Sequence, residues 1–155
     1  MHTRRELLSH SARVAAMLLA LGLLPLRARA QAGGYDTAAF EAGTLAQAFK
    51  ALGAATPAPS KDVSVSGPDI AENGAAVPIG AATTLRGVAR MLILVEKNPA
   101  VLSAMFEITD AVEPDFAIRV KMAQSSNVYA VAMTNDGKVL FAQKEVKVTL
   151  GGCAA

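Results

Sequence analysis

The sequence predicts an all-β fold, an immunoglobulin-like β-sandwich of about seven strands with one N-terminal α-helix. Three observations support it. From residue 62 onward the apolar residues recur with a period of two, which is strand spacing. Turn signals punctuate that region every eight to twelve residues. After a single helical stretch no strand–helix alternation follows, which argues against a doubly wound parallel sheet.

The helical stretch covers residues 35–52. Phe40, Leu45, Ala48, Phe49 and Leu52 recur there at three- and four-residue steps. Asp36 or Thr37 can cap its start, and Gly53 is placed to end it. Gly43 weakens it. Residues 54–60, with Pro57 and Pro59, read as a linker.

Short strands follow. The first is 62–66, bounded by the turn signals Gly67-Pro68 and Glu72-Asn73-Gly74. The second is 76–83, where Pro78 cannot donate to a ladder and predicts an edge strand. The third, 88–95, is nearly all apolar and closes at Asn98-Pro99. In 101–108, Leu102, Ala104, Phe106 and Ile108 are expected to share a face. Glu113-Pro114 is a break. In 116–122, Phe116, Ile118, Val120 and Met122 point inward, with Arg119 and Lys121 outward. Strand 128–134 runs into Asn135-Asp136-Gly137, a hairpin signal, and 138–150 is the last strand.

Two irregularities stand out. In 138–150 Val139 and Phe141 share one parity, whereas Val146, Val148 and Leu150 share the other. A period-two strand predicts a bulge or bend between Ala142 and Glu145, a change of partner sheet, or two strands. In 88–95, if Ala89, Met91, Ile93 and Val95 face the core, Leu92 and Leu94 face the other way. Either the N-terminal helix covers them or they form a partner interface.

The front of the chain does not read as part of this fold. Residues 1–30 resemble an export signal, with Arg4-Arg5, an apolar run over 14–26, and Ala28-Arg29-Ala30 as a cleavage site before Gln31. Thr3-Arg4-Arg5-Glu6-Leu7-Leu8 suits the twin-arginine route. The apolar run is short for a bilayer, which takes about 20 residues. The domains are therefore 1–30 as signal, 31–150 as the sandwich with its helix, and 151–155 as a flexible C-terminal arm. A periplasmic location follows, with no membrane insertion of the mature chain.

Removing the signal changes the charge. The whole chain has 15 basic and 13 acidic residues, but five arginines and one glutamate lie in the signal. The remainder holds 10 basic and 12 acidic residues, net −2, with no sign of the basic face a nucleic-acid binder needs. Both histidines, His2 and His10, also lie in the signal. This removes Ser-His-Asp triads, Cys-His dyads and His-ligated zinc from the mature chain. With one cysteine, Cys153, there is no internal disulfide and no CxxC pair. No cofactor or metal is implied. An enzyme would have to rest on carboxylates such as Asp110, Glu113 and Asp115, which read as a solvated loop.

The thiol sits in an unusual place. The chain ends Leu150-Gly151-Gly152-Cys153-Ala154-Ala155. Nothing in this tail can anchor it by packing, and such ends are usually mobile. Five extended residues span at most roughly 17 Å, enough to carry a thiol into a narrow cleft on another protein. An exported compartment is oxidising, so a lone thiol there is buried, paired with another chain, or used. Without a histidine to take its proton, Cys153 is better placed as an attachment point than as a catalyst.

These features resemble the SoxY family, the thiol-bearing subunits of the SoxYZ carrier in bacterial sulfur oxidation. The resemblance rests on Gly151-Gly152-Cys153, Glu72-Asn73-Gly74 with Val77-Pro78, Asn98-Pro99, Arg119-Val120 and Asp136-Gly137, and covers residues 35–153. The family tail normally ends in two further glycines, where this chain has Ala154 and Ala155. The resemblance implies a periplasmic carrier that holds sulfur intermediates covalently on Cys153, with Gly151, Gly152, Ala154 and Ala155 as its arm. It implies a heterodimer with a SoxZ-like subunit and transient contacts with SoxAX, SoxB and SoxCD-like enzymes. The carrier itself binds no haem or metal and is not an enzyme. Two alternatives stay open: an exported interaction module whose cysteine forms an intermolecular disulfide, and a SoxY-like carrier of a divergent pathway.

Overall fold

The computed structural model describes residues 36–151. Residues 1–35, on which the expected export signal falls, and residues 152–155 lie outside the described residues. Two short helices come first, α1 (Thr37–Phe40) and α2 (Leu45–Ala51). Nine strands follow: β1 (Ala58–Pro59), β2 (Val63–Ser66), β3 (Ile70–Asn73), β4 (Val77–Thr83), β5 (Val88–Val95), β6 (Leu102–Glu107), β7 (Asp115–Val120), β8 (Ser126–Thr134) and β9 (Val139–Leu150). The larger sheet runs β1-β9-β8-β5-β6, with β3 also paired to β9, and the smaller runs β2-β4-β7.

The expected β-sandwich is present, with nine strands where seven were expected. The two extra strands, β1 and β3, fall where the sequence showed a linker and a turn. Both pair in parallel with the outer edge of β9. Their hydrophobic pattern is too short to register, and Pro57 and Pro59 mask the first.

The single expected helix is two. Ala42, Gly43 and Thr44 interrupt it, and Thr44 starts α2 as an N-cap. Its Oγ1 accepts from Gln47 N–H (3.2 Å), and Gln47 Oε1 accepts from Gly43 N–H (3.1 Å). This Thr-x-x-Gln pairing satisfies amides that a helix start leaves bare. The break frees the Ala42 carbonyl to accept from Val101 N–H (2.9 Å), which fastens the helical segment to the start of β6. Gly53 ends α2 as expected, with φ +62°.

Strand β5 sets the layering. It lies between β6 and β8, and all five residues from Met91 to Val95 are fully buried. Met91, Ile93 and Val95 enter the core between the sheets, with Ile79, Met122 and Val146. Leu92 and Leu94 enter a second core with Ala39, Ala48, Val101 and Val131, under Phe49 and Leu52. The helical segment thus covers these leucines. The expectation that they form a partner interface is corrected, because neither reaches the surface. A register shift between Val88 and Arg90 also turns Val88 into the sandwich core in place of Ala89.

Three further expectations are corrected. A bulge lies where β6 meets Ile93 and Leu94 of β5. It sends Leu102 to the helical side, while Ala104, Phe106 and Ile108 keep the sandwich side. Strand β4 is central, not an edge. Thr83 N–H donates to Pro114 on the β7 side and Thr84 N–H to Asp62 on the β2 side, so the even-numbered residues face β2. Pro78 therefore lacks its donor on the β2 side, beyond Gly80, the last β4 residue that β2 pairs. Finally, β9 is one strand in unbroken register with β8 from Val139 to Val146. Its parity changes because it has two covered faces. Val139 and Phe141 pack under the helices, and Val146 and Val148 pack against the smaller sheet. Strand β7 matches the expected alternation.

Phe106 and Phe116 stack at 4.1 Å between ring centroids, joining β6 to β7 across the two sheets. Replacing Leu92 with Asp is expected to prevent folding, since it places an unpaired charge in a closed core. Leu92→Ala is expected to fold but lose about 2–5 kcal/mol. Chemical denaturation followed by circular dichroism distinguishes these results from a variant that stays stable and only loses a partner.

Candidate functional site at the root of the C-terminal segment

Cys153, Gly152, Ala154 and Ala155 lie outside the described residues, so the site is visible at its root, from Val148 to Gly151. Strand β9 parts from β8 after Val146 and continues along β3, with Ala71 opposite Val148 and Asn73 opposite Leu150. Two loops then close on the end of the strand.

The first loop is Glu72–Ala75. The Glu72 carbonyl accepts from Thr149 Oγ1 (2.8 Å), and Gly74 N–H donates to the Leu150 carbonyl (2.7 Å). Asn73 Oδ1 accepts from Ala75 N–H (2.8 Å) and turns the backbone so that the Gly74 amide faces the strand. The second loop joins β7 to β8. Val148 N–H donates to Ser125 Oγ at 2.8 Å. The two loops also meet, Met122 N–H donating to the Gly74 carbonyl at 2.7 Å.

Gly151 is half-buried in this clasp. A methyl group built on its Cα would overlap the carbonyl oxygen of Ala123 and lie 3.3 Å from its carbonyl carbon. Both atoms are backbone of Ala123, so no flexible side chain can move away. Gly151 was expected to be the first residue of a flexible arm. It is instead a fitted residue, required for its lack of a side chain.

Of the residues that carried the sequence resemblance, three groups converge here: Glu72-Asn73-Gly74, Gly151, and Asn98, whose Oδ1 accepts from Ala123 N–H at 3.0 Å. Asp136-Gly137 lies elsewhere, in the hairpin at the start of β9. There Lys138 and Thr134 hold the exposed Asp136 carboxylate at a pKa of about 2, chiefly through the Lys138 hydrogen bond. The convergence was not legible in the sequence, where Glu72-Asn73-Gly74 and Gly151 are far apart. Only the parallel β3–β9 pairing unites them.

The carboxylates considered for catalysis do not assemble a site. Asp110, Glu113 and Asp115 are all exposed. Asp110 borders a shallow cavity of about 350 Å³, and Glu113 and Asp115 border another of about 260 Å³. Among the described residues, no group of three His, Cys, Asp or Glu could hold a metal ion. Among them too, no helix is long and apolar enough to cross a membrane.

A model of the family described as sulfur oxidation protein SoxY matches residues 48–153. The chain belongs to the SoxY family. That match runs through the clasp and ends on the cysteine. Among solved structures, the chain is similar to one described as the sulfur carrier protein SoxY from Chlorobium limicola f thiosulfatophilum. The identity is 31%, with 66% of this chain and 92% of that chain covered, at a TM-score of 0.59. A superoxide reductase (neelaredoxin) from Ignicoccus hospitalis shares 16% identity at a TM-score of 0.47, covering 56% of this chain and 79% of that one. At that level the second likeness carries no argument about activity. No curated protein matches the chain.

Gly151→Ala is expected to destabilise the end of β9 by about 1–3 kcal/mol, the usual cost of overpacking. Hydrogen exchange should show faster exchange of the Gly74 amide, with β5 and β8 amides little changed. Equal protection of Gly74 in both proteins would mean the clasp tolerates a side chain.

Proposed function

We propose that this protein is a periplasmic sulfur carrier that holds the intermediates of thiosulfate oxidation covalently on Cys153. The observation that carries the reading is the position of the only thiol: it follows two residues after Gly151, the last described residue, which is fitted against Ala123. Membership of the SoxY family supports it, as does the likeness to a Chlorobium protein named as a sulfur carrier.

The chemistry asks little of the carrier. Thiosulfate couples to the Cys153 thiol with formation of one S–S bond, loss of one proton and transfer of two electrons to the haem enzyme SoxAX. The product is a cysteine S-thiosulfonate. Water, directed by the hydrolase SoxB, then cleaves the terminal S–SO₃ bond. This releases sulfate and a proton and leaves a persulfide on Cys153. A SoxCD-like enzyme oxidises the remaining sulfane sulfur. In each step the acid, base or electron acceptor belongs to the partner, in keeping with a mature chain without histidine. The protein thus acts as substrate carrier rather than enzyme, paired with a SoxZ-like subunit.

The twin arginines Arg4-Arg5 support export by the route that carries folded proteins, which allows the pair to assemble first. The small residues after the thiol, Ala154 and Ala155, suit entry into a narrow cleft.

The test is the intact mass of the protein, isolated with its natural partner from cells oxidising thiosulfate, before and after a reductant. Reductant-labile additions matching sulfur or thiosulfate on Cys153 are expected, together with loss of all loading in Cys153→Ser. A bare thiol, or the mass of a disulfide-linked dimer alone, overturns the reading in favour of an interaction module.

A further inference from the structure

We propose that strand β7 is a self-pairing edge, through which two copies of this chain join in antiparallel about a two-fold axis at Ala117. This pairing is independent of the carrier chemistry on Cys153.

Strand β7 ends the smaller sheet, since it pairs with β4 alone. Thr83 N–H donates to the Pro114 carbonyl, and the register sets Ala82 opposite Asp115. Backbone groups alternate in direction along an antiparallel strand, so Phe116, Ile118 and Val120 bond to β4. The amides and carbonyls of Ala117 and Arg119, and the carbonyl of Asp115, point away from the sheet. Among the described residues they have no partner. Such a row is a template for another strand. This one carries no proline and no bulge. Its two ends are closed. The Asp115 amide donates to the Glu113 carbonyl (2.9 Å), and the Lys121 carbonyl accepts from Asn98 Nδ2 (2.7 Å). The free edge therefore runs from Asp115 to Arg119.

The side chains specify the occupant. Asp115, Ala117 and Arg119 lie on the outer face of the sheet and are exposed, as are Glu113 and Lys121 beyond them. The row is acidic before Ala117 and basic after it. Antiparallel pairing about Ala117 sets Asp115 opposite Arg119 of the second copy, and Arg119 opposite its Asp115. Glu113 and Lys121 repeat the match one step further out. On the face toward the sandwich core, Phe116 meets Ile118 of the second copy, and both are only partly buried in the single chain. Opposite charges and aromatic–β-branched pairs are the favourable cross-strand neighbours. A parallel pairing would set Asp115 beside Asp115 and Arg119 beside Arg119, which repels. Among the described residues, neither Asp115 nor Arg119 makes an ion pair within its own chain. The edge of the larger sheet has no such pattern. Glu107 is the only charge on β6, and Arg90 already holds it at 2.8 Å. An unlike partner for β7 would need the complementary order of charges, which a second copy has by symmetry.

The test is the oligomeric state of the protein isolated with its natural partner, read by sedimentation velocity from micromolar to millimolar concentration. A reductant is present, which removes any disulfide through Cys153. Particles holding two copies of this chain are expected, in equilibrium with one-copy particles, and salt shifts them toward one copy. Arg119→Asp and Asp115→Arg, each alone, set like charges opposite one another and are expected to weaken the association by about tenfold or more. The double variant, Asp115→Arg with Arg119→Asp, reverses every pair and is expected to recover the wild-type association. One copy at every concentration overturns the proposal, as does association that the single variants leave unchanged. A double variant as weak as the single ones also overturns it. Circular dichroism checks that each variant folds. Should the charge variants fail to fold, Ala117→Pro is read instead. The Ala117 amide points away from β4, so proline leaves that ladder intact and removes the central bonds to the second copy. One-copy particles are expected, and association as tight as in the wild type overturns the proposal.

Discussion

Hydrogen bonding along strand β9 is the constraint on which the rest of the molecule depends. The strand bonds to β8 along one edge and, along the other, to β1 near its start and β3 near its end. Between these two short partners the chain departs to build β2 in the opposite sheet. Asp69 marks its return. Its carbonyl accepts from Lys147 N–H, and its exposed carboxylate, 2.6 Å from Lys144 Nζ, is held below the usual carboxylate range chiefly by that hydrogen bond. The first half of β9 is thus trapped between two hydrophobic layers. Its second half is carried past the end of β8 on β3 alone and needs the two loops to finish it.

That arrangement explains what the sequence could and could not reveal. Period-two alternation located β7 because it has a simple inside and outside, whereas β8, like β5, is covered on both faces, with Val128, Ala130 and Ala132 in the core between the sheets and Val131 in the core under the helices. The alternation located β5 as well, and the apolar pairs on both faces pointed to two covered surfaces. The choice between helix and partner for Leu92 and Leu94 depended on distance in space, which periodicity does not encode. The parity change in β9 was read as a bulge because a one-faced strand was assumed. The real bulge, beside Leu102, left no mark, since apolar residues occupy both parities around it. Strands β1 and β3 were invisible for another reason: two to four residues added in parallel to an edge are specified by that edge and hardly by their own pattern.

The site divides along the same line. Cys153 and its glycines could be singled out from the sequence because their chemistry is local: one thiol with small neighbours. The reason for Gly151 could not. Flexibility is the ordinary inference from paired glycines. Here the first of the pair is needed because a carbonyl occupies the place of its side chain, a contact made across 28 residues of sequence. Gly53 and Gly137, by contrast, are needed for positive φ, at a helix end and in a hairpin. The same residue type thus answers two different demands.

The carrier role proposed above sets a problem that catalysts solve differently. An enzyme holds its reactive group within a fraction of an ångström by packing around it. In the role proposed for Cys153, one sulfur atom passes to several partners, and the last point at which the described fold holds the chain, its fixed point, bounds how far from the fold the thiol can lie: two residues separate Cys153 from Gly151, each at most about 3.5 Å long. The clasp puts the fixed point at Gly151, as far along the chain as backbone contacts with the fold extend in the described residues. A backbone-to-backbone contact suits that purpose. It needs no side chain at Gly151, and Gly152, Ala154 and Ala155, which flank the thiol in sequence, are likewise small.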